Sequence, residues 1–413
     1  MNLSVVVLIL VLLLTAVRRV GGRRFQIWQI MLLGAAAVLL TGQIAPSAAF
    51  AAINFDVLLF LFGMFVVGQA MEESGYLSHV AYRLLRRAKS VDALMLFVLF
   101  GVGIASAFLM NDTLAIIGTP VMLLLAKKHG INPKVLLLAL CFAVTVGSVM
   151  SPIGNPQNLL IALNGGLPNP FADFLKYLFA PTMINLLLTY VVLKLFYREH
   201  FHDRALNHDD EPLSDRKLAG LCKLSLAVIV LLVAVKVAFV FMSVPYDIRL
   251  TYIALAAALP ILAGSSKRME IAKRIDWHTL IFFAAMFVLM ESVWDSGVFQ
   301  ALIAGAVLDL TSVASVMVIS VLLSQLVSNV PLVMLYLPVL MHAGVTAAGL
   351  VALAAGSTIA GNLTILGAAS NVIVIQNAEK KGDQTLSFWD FARVGIPLTI
   401  INVAVYWLFL GAG

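Results

Sequence analysis

The chain has 413 residues, is 62% hydrophobic and only 12% charged, and has a mean hydropathy of +1.01. Soluble domains are roughly half apolar and about a quarter charged, so the composition excludes a water-soluble globular protein. A net charge of +6 would suit a nucleic-acid binder in a soluble protein. Here, however, the basic residues lie in short segments between apolar runs, which is typical of membrane proteins. The two cysteines, Cys141 and Cys222, lie far apart, so neither a disulfide framework nor a thiolate metal site is predicted.

Apolar runs recur along the whole chain, and most are long enough for a helix that crosses the ~30 Å hydrocarbon core of a bilayer. Two are too short: residues 114–126 and 332–342 predict helices of about 20 Å and about 16 Å at ~1.5 Å per residue. Each follows another apolar run and a polar break, so we predict re-entrant hairpins over 92–127 and 311–343. The runs are 3–17, 26–42, 51–71, 92–109, 114–126, 133–163, 174–197, 218–242, 250–264, 277–294, 311–327, 332–342, 346–378 and 394–411.

Two of the runs are too long for one straight crossing. Gly, Pro, Asn and Ser residues interrupt the first between Ser151 and Asn158, and the second is interrupted between Asn362 and Asn371. Irregular backbone survives at membrane depth only where it lines a cavity or lies inside protein. We therefore predict broken spanning helices over 133–163 and 346–378.

These elements predict an all-α polytopic membrane protein with about ten transmembrane helices and two re-entrant hairpins. Both termini then lie outside, and the first run is predicted to be an uncleaved helix, since it lacks the basic segment and cleavage site of a signal peptide. Every Lys and Arg except Lys176, Lys236 and Arg249 lies in or beside a predicted cytoplasmic loop, in agreement with the positive-inside rule. The loops are 18–24, 72–91, 127–134, 198–217, 265–276 and 379–393.

The two halves of the chain contain the same polar landmarks in the same order. Asn111 recurs as Asn329 at an offset of 218, and Asn158 recurs as Asn371 at an offset of 213. Inverted repeats with interrupted helices are a transporter architecture in which the substrate site lies at the repeat interface. The predicted division is two peripheral helices over 1–50, a first inverted repeat over 51–197, a linker over 198–217, two scaffold helices and a loop over 218–276, and a second inverted repeat over 277–413.

The linker contains His200, His202 and His208 together with several Asp residues. This set could bind a metal ion, but a solvated interhelical linker accounts for the same composition. We adopt the second interpretation and predict neither a metal site nor a cofactor.

The first hairpin tip holds Asn111, Asp112 and Thr113. These side chains can cap the returning helix, whose first N–H groups need acceptors. A carboxylate at membrane depth costs at least about 2.5 kcal/mol and marks ion or proton paths in many transporters. Asp112 is therefore a candidate for proton coupling as well as for capping. Glu291, inside the 277–294 run, is a second candidate for proton coupling.

The second tip holds Ser328 and Asn329 and has no acid, so only the first tip can titrate. The two breaks add hydroxyl, amide and freed carbonyl groups but no Lys or Arg. A strongly charged anion would have to rely on helix N-termini alone, so the predicted cavity better suits a small neutral polyol or a cation. The predicted substrate-binding residues are Asn111, Thr113, Ser151, Asn155, Asn158, Ser328, Asn329, Asn362, Thr364 and Asn371.

These motifs resemble those of the ion transporter superfamily: Met-Asn-Asp-Thr at the first tip, Ser-Pro-Ile-Gly-Asn-Pro-Gln-Asn at the first break and Ser-Asn-Val-Pro at the second tip. Within that superfamily the chain is most similar to the bacterial arsenite and antimonite efflux permeases and their silicic-acid efflux relatives. The resemblance covers almost the whole chain. It implies proton-driven export across the bacterial inner membrane, in some members with a cytosolic, arsenite-stimulated ATPase as partner.

The sodium–dicarboxylate branch is the nearest competitor, and it is expected to have Ser-Asn-Thr at both tips. This chain departs from that pattern at Asp112 and at Val330, and an acid at a carboxylate-binding tip would repel the substrate. The leading hypothesis is therefore export of As(OH)3 or Sb(OH)3 in exchange for protons. A sodium- or proton-coupled symporter of sulfate or carboxylates, a sodium/proton antiporter and a passive channel remain alternatives. An enzyme is not predicted, because neither Gly-x-Ser-x-Gly nor His-Glu-x-x-His occurs.

Overall fold

The chain folds into an all-α polytopic membrane protein, as the sequence predicts. The computed structural model describes residues 2–17, 19–20, 23–76, 79–80, 88–201, 214–242, 248–298, 301, 311–327, 329–382 and 386–411. Shorter apolar helices accompany six described helices that are long and apolar enough to cross a membrane. These six are Phe55–Glu73, Val91–Phe108, Pro170–Phe196, Arg216–Lys236, Trp277–Asp295 and Phe388–Gly411.

The first part of the chain opens with two apolar helices and a two-residue antiparallel ladder between Arg19–Val20 and Arg23–Arg24. The first scaffold helix follows, and then a hairpin with a leading and a returning helix. A broken helix and a long spanning helix complete this part. In chain order the helices are Leu3–Val17, Ile27–Leu40, Pro46–Ala52, Phe55–Glu73 (first scaffold helix), Val91–Phe108 and Asn111–His129 (first hairpin), Pro133–Ser148 and Pro156–Asn164 (first broken helix), Pro170–Phe196 and the 3-10 turn Arg198–His200.

The second part repeats this order after a pair of apolar helices. Its helices are Arg216–Phe241, Leu250–Gly264, Arg268–Arg274, Trp277–Asp295 (second scaffold helix), Val313–Val327 and Asn329–His342 (second hairpin), Ala347–Ile359 and Ala369–Gly382 (second broken helix, with 3-10 turns at Ala360–Asn362 and Ile365–Gly367 between them) and Phe388–Gly411. Helix pairs and interrupted helices occupy the segments that the sequence assigns to the hairpins and the broken helices. The division into domains, with the bounds of these elements, stays a prediction.

The two scaffold helices begin and end alike. Asn54 and Asp276 each stand immediately before a scaffold helix, and each side chain accepts a hydrogen bond from the backbone N–H three residues further on. Each helix ends at a serine that is followed by a glycine, Gly75 or Gly297, with φ of 67° or 70°. Such left-handed residues are a common way to end a helix, and glycine adopts the conformation without steric cost.

The helices pack in two groups, called here the scaffold and the core. In the scaffold, the first scaffold helix packs on Leu250–Gly264 and the second on Ile27–Leu40. The core consists of both hairpins, both broken helices, Pro170–Phe196 and Phe388–Gly411. The main contacts between the groups pair each scaffold helix with the returning helix of the hairpin in its own half.

Within the core, the two halves interlock. The returning helix of the first hairpin packs on Ala369–Gly382, the last segment of the second broken helix. The returning helix of the second hairpin packs on Pro156–Asn164, the last segment of the first broken helix. Each hairpin tip therefore lies beside the broken helix of the opposite half as well as its own.

Most of the predicted 198–217 linker, with His202 and His208, lies outside the described residues. The described end of the linker contacts two basic loops through Asp215. The N–H of Asp215 donates to the carbonyl of Ser74 in the loop 72–91, and Nζ of Lys267 in the loop 265–276 lies 3.0 Å from a carboxylate oxygen of Asp215. The Leu218 N–H and the Lys267 ammonium both hydrogen-bond to this carboxylate and hold the pKa of Asp215 below its usual value. The ion pair therefore persists at neutral pH.

A close helix–helix approach in the core offers a test of the packing. A Cβ atom on Gly147 would lie 2.2 Å from the carbonyl oxygen of Gly103 in the leading helix of the first hairpin. We expect Gly147→Ala to destabilise the protein by about 1–3 kcal/mol, because the two backbones must separate. Gly101→Ala is the matched control, since nothing lies within 4 Å of its added Cβ. The melting temperature in detergent should fall for the first variant only, and equal melting temperatures would contradict the close approach.

Candidate functional site

The first break is held together by the side chain of Asn158. Its Nδ2 lies 3.1, 3.3 and 3.0 Å from the carbonyl oxygens of Ser148, Val149 and Ser151. These carbonyls lose their usual partners because Pro152 and the turn that follows interrupt the helix. Asn155 in turn caps the next segment, since its Oδ1 accepts from the N–H of Asn158 at 2.9 Å. The freed carbonyl groups of the first break are therefore hydrogen-bonded by a side chain of the break itself.

The second break repeats one of these contacts and lacks others. Nδ2 of Asn371 donates to the carbonyl of Gly361 at 2.7 Å, the position that matches Ser148 at the same offset of 213. Oδ1 of Asn371 and Oδ1 of Asn362 are buried and accept no hydrogen bond from any described residue. Both residues are fully buried. The second break therefore holds acceptors that the described part of the chain does not satisfy.

One hydroxyl group joins the first break to the opposite half. Thr358 Oγ1 accepts from Nδ2 of Asn155 at 3.2 Å and from Nε2 of Gln157 at 3.3 Å, and it donates to Oδ1 of Asn158 at 3.2 Å. The matching hydroxyl, Thr145 Oγ1, is buried without a partner. The two halves thus share a backbone plan but differ in how their polar groups are paired.

The first hairpin tip rests on the first break. The N–H of Asn111 donates to the carbonyl of Gly154 at 3.1 Å, and Oδ1 of Asn111 accepts from the N–H of Asp112 at 2.9 Å. Asn111 therefore serves as an acceptor within the first turn of the returning helix, which begins at this residue. In the second tip, Oδ1 of Asn329 is buried and has no partner, although the residue as a whole is 6% exposed.

A cavity of about 570 Å³ lies where the tips, the breaks and the second scaffold helix meet. This volume is within the ~300–1,000 Å³ range of small-molecule sites. The wall reaches from both tips to helix ends that border the basic loops 18–24, 265–276 and 379–393. It is lined by Phe25, Gln26, Trp28, Asn111, Asp112, Pro156, Gln157, Asp276, His278, Thr279, Phe282, Phe283, Asn329, Val330, Ala368, Ala369, Val372, Ile373, Gln376 and Glu379.

The cavity wall is acidic. Asp112, Asp276 and Glu379 contribute carboxyl groups, and His278 contributes an imidazole ring that stacks on Trp28 with a centroid separation of 4.9 Å. Neither Lys nor Arg is among the described lining residues. Such a wall attracts cations and tolerates neutral polar solutes, whereas it repels polyanions.

The structure brings four polar residues of the predicted tips and breaks into this wall: Asn111, Asp112, Asn329 and Gln157. Asn155, Asn158 and Asn371 are fully buried and are not among the described lining residues. Asn155 donates to Ser148 Oγ and accepts from the N–H of Asn158, and Asn158 and Asn371 donate to the carbonyls of Ser148 and Gly361. The other predicted positions take further places. Thr113 packs on Gly68, and Ser151 accepts from the N–H of Ile153 and from Asn158. Asn362 donates to Asn402, and Thr364 donates to Gln325. Glu291 is partly buried in the second scaffold helix and is not among the described lining residues of the cavity, and Ser328 lies outside the described residues.

Sequence reasoning missed the wall that the scaffold contributes. Asp276, His278 and Trp28 lie at helix starts beside basic loops, and a polar or aromatic residue there is ordinary at a membrane surface. The sequence predicts Glu379 at the start of the loop 379–393, but the residue lies in the helix Ala369–Gly382. The one available signal was the repeat itself, because Asp276 matches Asn54 at the offset of 222 shared by the scaffold helices.

The helical architecture, the paired hairpins and breaks and the cavity between the hairpin tips define a membrane transport protein. Residues 10–350 match the family described as CitMHS, citrate transporter. The chain belongs to this family.

The chain is also similar in sequence to other transporters and in fold to a solved structure. An uncharacterized transporter of Mycobacterium tuberculosis, Rv2684, is 29% identical over 406 residues, covering 92% of both chains. The silicon efflux transporter LSI3 of Oryza sativa is 27% identical over 439 residues, covering 91% of this chain and 90% of the relative. The YdaH transporter of Alcanivorax borkumensis has a similar fold, with a TM-score of 0.59 at 18% identity over 99% of this chain and 97% of that one.

The Thr358 hydroxyl provides a test of the polar network behind the cavity. Thr358→Val keeps the shape of the side chain but leaves the amides of Asn155, Gln157 and Asn158 without this partner. We expect a loss of about 1–3 kcal/mol of stability, because buried polar groups remain unsatisfied. Thr358→Ser retains a hydroxyl and should recover most of the loss in a thermal melt. A melt of Thr358→Val that matches the wild type would contradict the network.

Proposed function

We propose that this protein is a secondary active transporter that exports a small neutral hydroxide, As(OH)3 or Sb(OH)3, in exchange for protons. The observation that carries the proposal is the cavity between the hairpin tips, which has carboxyl and amide groups and neither Lys nor Arg among its described lining residues. A trihydroxide can donate to Asp112 and accept from Asn111 and Asn329 without any charge to neutralise.

The comparisons support this class of solute indirectly. The silicon efflux transporter is named for export of another element that forms neutral hydroxides in water, and it aligns with nearly the whole chain. The family description names citrate instead. Free citrate carries several negative charges, so the acidic wall would repel it unless a bound cation neutralised them.

Coupling is assigned to Asp112 because its carboxyl group lies in the cavity at the hairpin tip. Protonation from one side and release to the other would accompany movement of the core against the scaffold. The division of the helices into two groups with few shared contacts supports such a movement. The cytoplasmic position of the basic loops, the outer position of both termini and the participation of a cytosolic ATPase stay predictions.

Flux in proteoliposomes with an imposed proton gradient tests the proposal. Arsenite and antimonite should move against the direction of proton flow, whereas sulfate and succinate should not. Asp112→Asn should reduce the movement to the level of empty liposomes, because an amide cannot carry the proton. Glu291→Gln is the control for the other candidate acid and should retain proton-driven flux. Full flux in Asp112→Asn would remove the coupling role from Asp112.

Sodium coupling is the second candidate function, and the unpartnered oxygens favour it. Oδ1 atoms of Asn329, Asn362 and Asn371 are buried and accept no protein hydrogen bond. Side-chain and carbonyl oxygens are the ligands that hard cations prefer. On this alternative the protein is a sodium-coupled anion symporter or a sodium/proton antiporter.

A thermal melt in NaCl against choline chloride separates the two candidates. Sodium at 100 times its dissociation constant would stabilise the protein by about 2.7 kcal/mol. Asn371→Leu should abolish that gain, whereas Asn54→Leu, a substitution at a scaffold helix cap distant in sequence from the second break, should retain it. Equal melting temperatures in the two salts, with arsenite flux intact, would leave proton exchange as the function.

A further inference from the structure

The cavity places two carboxyl groups from different groups of helices on one wall. Asp112 belongs to the core, in the first turn of the hairpin's returning helix, and Asp276 belongs to the scaffold, at the start of the second scaffold helix. Both line the same cavity, and two carboxylates that share a site repel each other when both are ionised. The wall also contains Asn329, whose buried Oδ1 has no hydrogen-bond partner among the described residues.

Asp276 is fixed in place by its own helix. Its Oδ1 accepts from the N–H of Thr279 at 3.0 Å, and its Oδ2 accepts from Thr279 Oγ1 at 2.5 Å. Each carboxylate oxygen has capacity for further contacts. The carboxylate therefore stays attached to the scaffold while the core, with Asp112, moves.

We propose that Asp276 is a positioning residue for proton coupling. Together with Asp112 and the free Oδ1 of Asn329 it forms an acidic site that retains a proton or a small cation while the core is in the position that the structure shows. The inference rests on the proposed function for its role in transport. When the core moves away from the scaffold, Asp112 leaves Asp276 behind, and the repulsion that favours a bound proton disappears. The proton is then released to the opposite side.

Other charged groups face Asp112 from the elements around it. Glu379 lines the cavity from the second broken helix, which packs on the returning helix, and His278 lines it from the scaffold. Glu379 is an acid like Asp276, but it belongs to the core and moves together with Asp112. His278 lies two residues from Asp276 and stacks on Trp28, so it opposes the acidic groups only when it is protonated.

The first scaffold helix indicates which substitution of Asp276 will fold. Asn54, the repeat mate of Asp276, caps the first scaffold helix by accepting from the N–H of Val57 at 3.1 Å. Asp276→Asn should therefore keep the cap and remove the charge, since Asn and Asp cap helices about equally well. Asp276→Ser is a second capping variant without charge. Asp295→Asn is the control, because Asp295 is exposed at the far end of the same helix and is not among the cavity-lining residues.

The experiment measures the melting temperature of the purified protein against pH, in the wild type and in Asp112→Asn. The difference between the two curves grows with pH and stops changing at the midpoint of the titration of Asp112 in the folded protein, because stability depends on pH only where a group binds protons differently in the folded and unfolded states. The same comparison is then made in the Asp276→Asn background. Without its negative neighbour, ionised Asp112 is less unfavourable, so this midpoint should move to lower pH by roughly 0.5–1 pH unit.

Asp276→Ser should give the same displacement, and Asp295→Asn should give none. An unchanged midpoint in both Asp276 variants would overturn the proposal, and so would an equal displacement in Asp295→Asn. The melt needs no solute and no gradient. If the midpoint moves but no arsenite crosses the membrane, the acidic pair stands and the proposed substrate fails. If proton-driven arsenite flux is intact but the midpoint does not move, the function stands and the role of Asp276 fails.

Discussion

A helix that breaks inside a bilayer frees carbonyl groups that no water can reach, and a partner for those groups is the condition on which this fold depends. The side-chain amides of Asn158 and Asn371 meet the condition at matching positions, each by donating to a carbonyl ten residues earlier in the chain. With the breaks stabilised in this way, the backbone can leave the helix without exposing polar groups to lipid. The tips of both hairpins then have a polar surface to rest on.

The two halves use the same backbone plan for different purposes. The first break is closed by its own amides and by the hydroxyl of Thr358, so it behaves as a rigid support for the tip at Asn111. The second break retains unpartnered oxygens. The two halves therefore offer a ligand different groups: the first offers the residues of its hairpin tip, and the second also offers the unpartnered oxygens of its break. The acidic cavity wall then favours a neutral or positively charged ligand over an anion.

The sequence predicted the architecture well because lipid imposes simple rules on length and polarity. Runs too short or too long to cross located the hairpins and the broken helices, and the polar interruptions located Asn111, Asp112 and Asn329, which do line the cavity. Prediction was less successful for the residues behind the wall. Asn155 and Asn158 have the same composition and spacing whether they bind a solute or a carbonyl, and only coordinates separate those roles.

The scaffold contribution was not predictable for a different reason. Asp276, His278 and Trp28 come together only because Ile27–Leu40 packs on the second scaffold helix. That pairing joins segments about 250 residues apart in sequence, and nothing in either segment alone indicates it. A pattern within one helix reports which face is apolar, but it does not report which distant helix will cover that face.

The helix caps Asn54 and Asp276 have a consequence for how such a protein changes over generations. Codons for asparagine and aspartate differ by a single base, and both residues cap the start of a helix in the same way. One half of a duplicated gene can therefore acquire or lose a cavity charge by one nucleotide substitution, without passing through an unfolded intermediate. Solute preference in this architecture can drift by small inherited steps while the backbone stays fixed.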